Sequence, residues 1–135
     1  MAAESRDVLV PDRVPPPIGP YSLGIRFQDF VFASGTIGLD PATGKMVPGG
    51  VEAETRQALQ NLSNILQSGG SSLADVVKTT VFLVDIGQFP TMNRVYAEFF
   101  PKDPPARSTL QVVALPGGAQ VEVEAIAARG RPMGD

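Results

Sequence analysis

The sequence predicts an α+β fold with about five strands and two substantial helices. Three observations carry that reading. Apolar and β-branched runs at residues 30–35, 76–84, 108–113 and 121–127 have the composition of strands. Apolar side chains recurring at three- and four-residue steps mark helices over Val51–Ser68 and from Phe89 to Phe99. The resulting order is strands, helix, strand, helix, strands. No repeat, linker or low-complexity tract divides the 135 residues, so one domain is expected over 1–135, with frayed tails at 1–7 and 130–135.

Taken in order, Val8–Val10 suits a short edge strand, and Pro11, Pro15-Pro16-Pro17 and Pro20 then hold an extended, irregular segment. Gly24–Phe27 and Phe30–Gly35 form a hairpin across Gln28-Asp29. In the long helix, Val51, Thr55, Leu59, Leu62, Ile65 and Leu66 share one face, Glu52 and Glu54 occupy the favourable first turn, and Gly69-Gly70 stop it. Ser72 caps a short turn through Asp75. In Val76–Val84, Val77, Val81 and Leu83 lie on one face and Val76, Phe82 and Val84 on the other. A strand apolar on both faces is covered on both sides. Two helices cover one face of the sheet and the chain has nothing left for the second, so the expectation is an obligate oligomer whose sheets meet.

Composition narrows the chemistry. The chain contains no Cys and no His, and its net charge is −3 with no basic cluster. Disulfides, thiolate nucleophiles, zinc fingers, Ser-His-Asp triads and His-based metal sites are excluded. The electrostatic footprint of a nucleic-acid binder is missing. The acidic N-terminus and the lack of a long apolar run lead to the expectation of a soluble, cytoplasmic protein without membrane contact. Gly38 to Lys45 imitates a P-loop but has five residues between its glycines and Met46 after the lysine, so that reading is rejected.

Arg, Glu, Asp, Lys, Ser, Thr, Tyr and backbone groups remain for any chemistry. Pro104-Pro105-Ala106-Arg107 delivers an arginine on a stiff loop to the mouth of a strand, where its planar fork could grip a carboxylate; a solvated surface arginine is the alternative. Glu122 and Glu124 share one face of the last strand about 7 Å apart, either as a solvated face or as acid–base groups. Tyr21 follows the turn Gly19-Pro20 and either faces a pocket or packs at its rim. Gly35, after Ser34, permits close approach of a ligand or another chain, or marks a bulge. Lys78 is read as a solvated strand lysine rather than a Schiff-base amine.

Several stretches in order resemble the reactive intermediate deaminase (Rid) family. They are Ile18-Gly19-Pro20-Tyr21-Ser22, Ser34-Gly35, Arg56–Leu62, Asp75–Val81, Asn93 with Tyr96 and Phe99-Phe100, Pro105-Ala106-Arg107-Ser108 and Val121–Ala127, spanning about residues 8 to 129. The resemblance implies a chorismate-mutase-like mixed sheet of about five to six strands with two helices on one face, assembled as a homotrimer with clefts between subunits. It implies a hydrolase that deaminates 2-iminobutanoate and 2-iminopropanoate to 2-oxo acids and ammonia without a cofactor or metal, protecting pyridoxal-phosphate enzymes. By position, Arg107 matches the arginine that binds the substrate carboxylate and Glu122 the acid associated with the catalytic water. Tyr21, Ser34, Gly35, Asn93 and Pro116 match residues lining the cleft. Relatives have also been described as ribonucleases, translation inhibitors or chaperones, and a relative that only binds a carboxylate metabolite is a further alternative. Thr109, Thr36 and Leu23 depart from the Cys, Gln and Gln that many members carry, which leaves pocket size open and removes any thiol at 109.

Overall fold

The computed structural model describes residues 5–130. Six strands form one mixed sheet in the order β1-β2-β3-β6-β4-β5. They are β1 (Arg6–Leu9), β2 (Gly24–Phe27), β3 (Phe30–Thr36), β4 (Val76–Leu83), β5 (Ala106–Gln111) and β6 (Val121–Ala128), with α1 (Gly50–Ser68) and α2 (Phe89–Phe99) between them. All pairings are antiparallel except β4 with β5, which are parallel and connected through α2. The fold is α+β as expected. Strand β1 begins at Arg6, so Arg6 and Asp7 pair with Phe27 and Arg26 rather than fraying. An Asp7–Arg26 ion pair at 3.0 Å spans that pairing. The rest of the two expected tails, apart from Ser5 and Gly130, lies outside the described residues.

Alternation within the strands sets the core. Val31 of β3, Val81 and Leu83 of β4 and Val121, Val123 and Ala127 of β6 are buried on one sheet face. Against them α1 lays Leu59, Leu62, Ile65 and Leu66, all at 0% exposure. Each contributes about 1.5–3 kcal/mol through burial of its side chain. Helix α2 adds Met92, Val95 and Tyr96. The helix α1 is capped by Gly49 in a left-handed conformation, and only Glu52 is an acid of its first turn. Glu54 instead makes a tertiary contact. It is 3% exposed, and its Oε1 accepts the Gln120 N–H at 2.8 Å, tying α1 to the start of β6.

Strand β4 does not alternate as its sequence suggests. A bulge between Val76 and Lys78 inserts one residue against β6, because Val76 pairs with Ala127 and Thr79 with Ala125. Val76 therefore joins the core while Val77 is 47% exposed, the reverse of the face assignment from strict alternation.

The second sheet face carries no helix. On it Phe32 sits opposite Ile126 and Phe82 opposite Leu110, two apolar patches with Lys78, Thr80 and Glu124 between them. Phe30 and Phe32 are 43% and 41% exposed on this face. Among the described residues, no helix is long and apolar enough to cross a membrane.

Candidate active site

Strand β2 begins at Gly24, paired with Ala33, while β3 runs on past that pair through Ser34, Gly35 and Thr36. The proline-rich segment before β2 wraps past this extension and closes a cavity of about 390 Å³. Tyr21, Ser34, Gly35, Pro116 and Glu122, five of the residues anticipated from the sequence, line it together. The Tyr21 hydroxyl oxygen accepts the Ile18 N–H at 3.3 Å, so the ring closes a local turn at the cavity wall. Ser34 donates its hydroxyl to the Ser22 carbonyl at 2.6 Å, stapling the wrapped segment to β3. The β3–β6 register shifts between Ala33 and Thr36. Gly35 thus sits in a bulge, one of the two readings the sequence left open.

The group approaching Gly35 is Glu122. A Cβ built on Gly35 would stand 2.5 Å from Glu122 Oε2 and 2.6 Å from its Cδ. Glycine leaves the carboxyl group the space it occupies over the β3 backbone. Gly35→Ala is expected to push the Glu122 side chain to another rotamer, at a cost of about 0.5–1.5 kcal/mol. A crystal structure of the variant showing a displaced carboxylate, with a melting temperature within a few degrees of the parent, checks this. An unmoved carboxylate would contradict it.

Burial raises the Glu122 pKa above the ordinary carboxylate range, and the negative charge of Glu124 raises it further. Both carboxylates line the cavity. Thr36 also lines it, but its hydroxyl is committed to the Val123 carbonyl at 3.0 Å. Leu23 contributes an apolar side chain to the wall.

Arg107 is elsewhere. It is not at the mouth of β5 but its second residue, paired with Thr79, because pairing with β4 begins at Ala106. Directly paired residues point to the same side, and Thr79 is fully buried on the helix face. The Arg107 guanidinium carbon lies 4.7 Å from the centroid of the Tyr96 ring and 5.4 Å from that of Phe89, both on α2. Tyr96 is itself fixed by a 2.7 Å hydrogen bond with Thr79. Burial raises the Tyr96 pKa, so its hydroxyl stays protonated. Among the described residues, no carboxylate pairs with Arg107 and no hydrogen bond engages its nitrogens. The result is a stacked, charged fork with its donors unused. Asn93, on α2 between Phe89 and Tyr96, has a buried Oδ1 without a hydrogen-bond partner.

Glu122 pairs with Phe82, and in the regular stretch of β4 from Thr79 to Phe82 those two residues point to opposite faces. Arg107 and Glu122 of one chain are therefore on opposite faces of the same sheet. The structure gathers Tyr21, Ser34, Gly35, Pro116 and Glu122 at one place, and Arg107 at another on the edge strand. The stacking rings Phe89 and Tyr96 were absent from the sequence-derived site; the signal that could have found them is their spacing of seven residues, which puts both on one helix face. Among the described residues no group of three or more carboxylates is arranged to hold a metal ion.

Fold and site together define a small α+β family, and comparison with known proteins identifies it. The sequence model of the family described as Endoribonuclease L-PSP matches residues 12–129, and the chain belongs to that family, the one that includes the Rid proteins. Among curated relatives, the 2-iminobutanoate/2-iminopropanoate deaminase of Mus musculus is 45% identical over 130 residues, covering 96% of each protein. Reactive Intermediate Deaminase A, chloroplastic, of Arabidopsis thaliana is 46% identical over 122 residues, 90% of this chain and 65% of that protein. Among solved structures, Escherichia coli TdcF with bound serine superposes with a TM-score of 0.87 at 38% identity, covering 92% of this chain and 99% of that one.

Proposed function

We propose that this chain is a cofactor-independent deaminase that hydrolyses 2-iminobutanoate and 2-iminopropanoate to 2-oxo acids and ammonia. The observation that carries this reading is the unpaired Arg107 fork, stacked on two rings and free to accept an α-carboxylate. Identities of 43–45% to mammalian deaminases of that name support it. So does a relative with bound serine, which has the same α-carboxylate.

In this reading Arg107 holds the carboxylate through two parallel N–H···O bonds. Water held by Glu122 adds to the carbon of the protonated imine, and Glu122 takes the proton that the water releases. Glu122 returns that proton to the nitrogen. The carbon–nitrogen bond then breaks as Glu122 takes the hydroxyl proton and the carbonyl forms, and ammonia leaves. A protonated imine is already electrophilic, so positioning and one proton relay suffice without His or Cys. Asn93, on the helix against which Arg107 stacks, borders the bound acid, and Tyr21, Ser34, Gly35 and Pro116 line its other side.

Because Arg107 and Glu122 of one chain face opposite ways, one site takes Arg107 from one subunit and Glu122 from its neighbour. The exposed apolar side chains Phe30, Phe32 and Leu110 on the helix-free face supply part of the surface for that association. A homotrimer with three equivalent clefts, in the cytoplasm, completes the proposal. Ribonuclease action is disfavoured by the net charge of −3, the missing basic cluster and the absence of histidine. The test is ammonia release from threonine or serine dehydratase reactions with purified protein, together with a crystal structure containing 2-oxobutanoate. Faster ammonia release, with the carboxylate on Arg107 and the carbonyl carbon beside a neighbour's Glu122, is expected. Binding without turnover would leave only a metabolite-binding role.

A further inference from the structure

The geometry points to a preference for 2-imino acids with side chains longer than ethyl, set by the apolar residues that line the cavity with Glu122 and in particular by Leu23. This inference rests on the deaminase reading, because it assumes that the reacting carbon sits at Glu122. Glu122 and Glu124 are the charged residues of the cavity lining. Its apolar part is made by Val14, Pro15, Ile18, Leu23, Ile37 and Leu39. The cavity's volume of about 390 Å³ falls within the roughly 300–1,000 Å³ of sites that enclose drug-sized ligands. A methyl or ethyl group touches only part of that wall.

Three of the polar side chains in the lining are already committed. The Thr36 hydroxyl is bonded to the Val123 carbonyl, the Ser34 hydroxyl to the Ser22 carbonyl, and the Asn61 amide to the Ile37 and Leu39 carbonyls. These pairings leave an apolar surface as the main recognition element. Such a surface discriminates by length, since one methylene in an apolar pocket changes specificity by about 10- to 200-fold. Leu23 packs against the core cluster while lining the cavity, so its side chain is held in place. A polar residue there would bring hydrogen-bonding groups that a hydrocarbon side chain cannot satisfy. The reaction is the same hydrolysis for every chain length: water's oxygen bonds to the imine carbon and the nitrogen leaves as ammonia.

The test uses imines formed in situ by a flavin L-amino acid oxidase from alanine, 2-aminobutyrate, leucine and phenylalanine. Semicarbazide traps whatever imine escapes hydrolysis. The expected result is a kcat/KM at least about tenfold higher for the leucine imine than for the alanine imine, with the gain mainly in KM. Leu23→Gln is expected to cut that long-to-short ratio about tenfold, and Leu23→Met, which conserves volume, to keep it. A wild-type profile that is flat or falls beyond ethyl overturns the inference while leaving the deaminase reading intact, and it does so even if Leu23→Gln fails to fold. Absence of hydrolysis for every imine would instead remove the deaminase reading itself.

Discussion

Arg107→Ala lowers kcat/KM for 2-iminobutanoate by roughly 10²–10⁴-fold while the protein stays folded and assembled. The magnitude comes from two hydrogen bonds to a charged group, each contributing about 1.5–3 kcal/mol, at about 1.4 kcal/mol per factor of ten. The fold tolerates the change because Arg107 is partly exposed on an edge strand and contributes ring stacking of about 0.5–1 kcal/mol per ring. Arg107→Lys retains the charge but loses the planar fork and recovers only part of the activity. Steady-state kinetics with a melting curve for each variant checks all of this, and a fully active Arg107→Ala would exclude the proposed role. Because Arg107 and Glu122 occupy opposite sheet faces, two inactive variants should also complement each other. Unfolding and refolding an equal mixture of Arg107→Ala and Glu122→Gln restores roughly a quarter of the sites, those drawing both intact residues from different subunits of a cyclic assembly. No recovery from a well-mixed oligomer would place both residues in one chain's site.

Glu122→Gln lowers kcat by about 10²–10⁴-fold, the usual contribution of a positioned acid–base group, without lowering thermal stability near neutral pH. The second part follows from its raised pKa. A carboxyl group whose pKa is higher folded than unfolded favours the folded state at low pH. That advantage disappears as pH rises from the unfolded value through the folded one. Above that window the ionised Glu122 is a destabilising group, and the neutral amide removes the cost. The melting temperature of Glu122→Gln at pH 7 should therefore equal or exceed that of the parent, and a clear decrease would contradict this account. The same pKa governs activity, because the carboxylate is the form that receives the proton from water. The acid limb of the kcat/KM profile then lies above the ordinary glutamate range. Glu124→Gln, by removing the repelling charge, moves that limb to lower pH. A limb unmoved by Glu124→Gln would assign it to another group.

The elements and most core residues were legible in the sequence because they depend on local periodicity. The α1 stripe at three- and four-residue steps, and the alternation of Val121, Val123, Ala125 and Ala127, each define a buried face without reference to the rest of the chain. Reading Val76 and Val77 failed for the converse reason. The bulge that exchanges their faces exists only in the pairing of β4 with β6. Glu54 likewise looked like a first-turn acid, and only the proximity of Gln120 turns it into a buried acceptor.

By itself the sequence narrowed the chemistry: without His or Cys, only Arg, Glu, Asp, Lys, Ser, Thr, Tyr and backbone groups remain for it. It also determined, through an ordered set of matching stretches, the family and the identity of the residues to test. Tertiary structure alone decided where those residues stand. It put Glu122 over Gly35 in a cavity with an apolar wall, and it put Arg107 on the opposite face against Phe89 and Tyr96. The physical reason is that the side to which a strand residue points follows from register, which couples residues far apart in the chain. Composition and spacing single out an arginine and a glutamate; only the pairing of β4, β5 and β6 shows that they stand on opposite faces of the sheet.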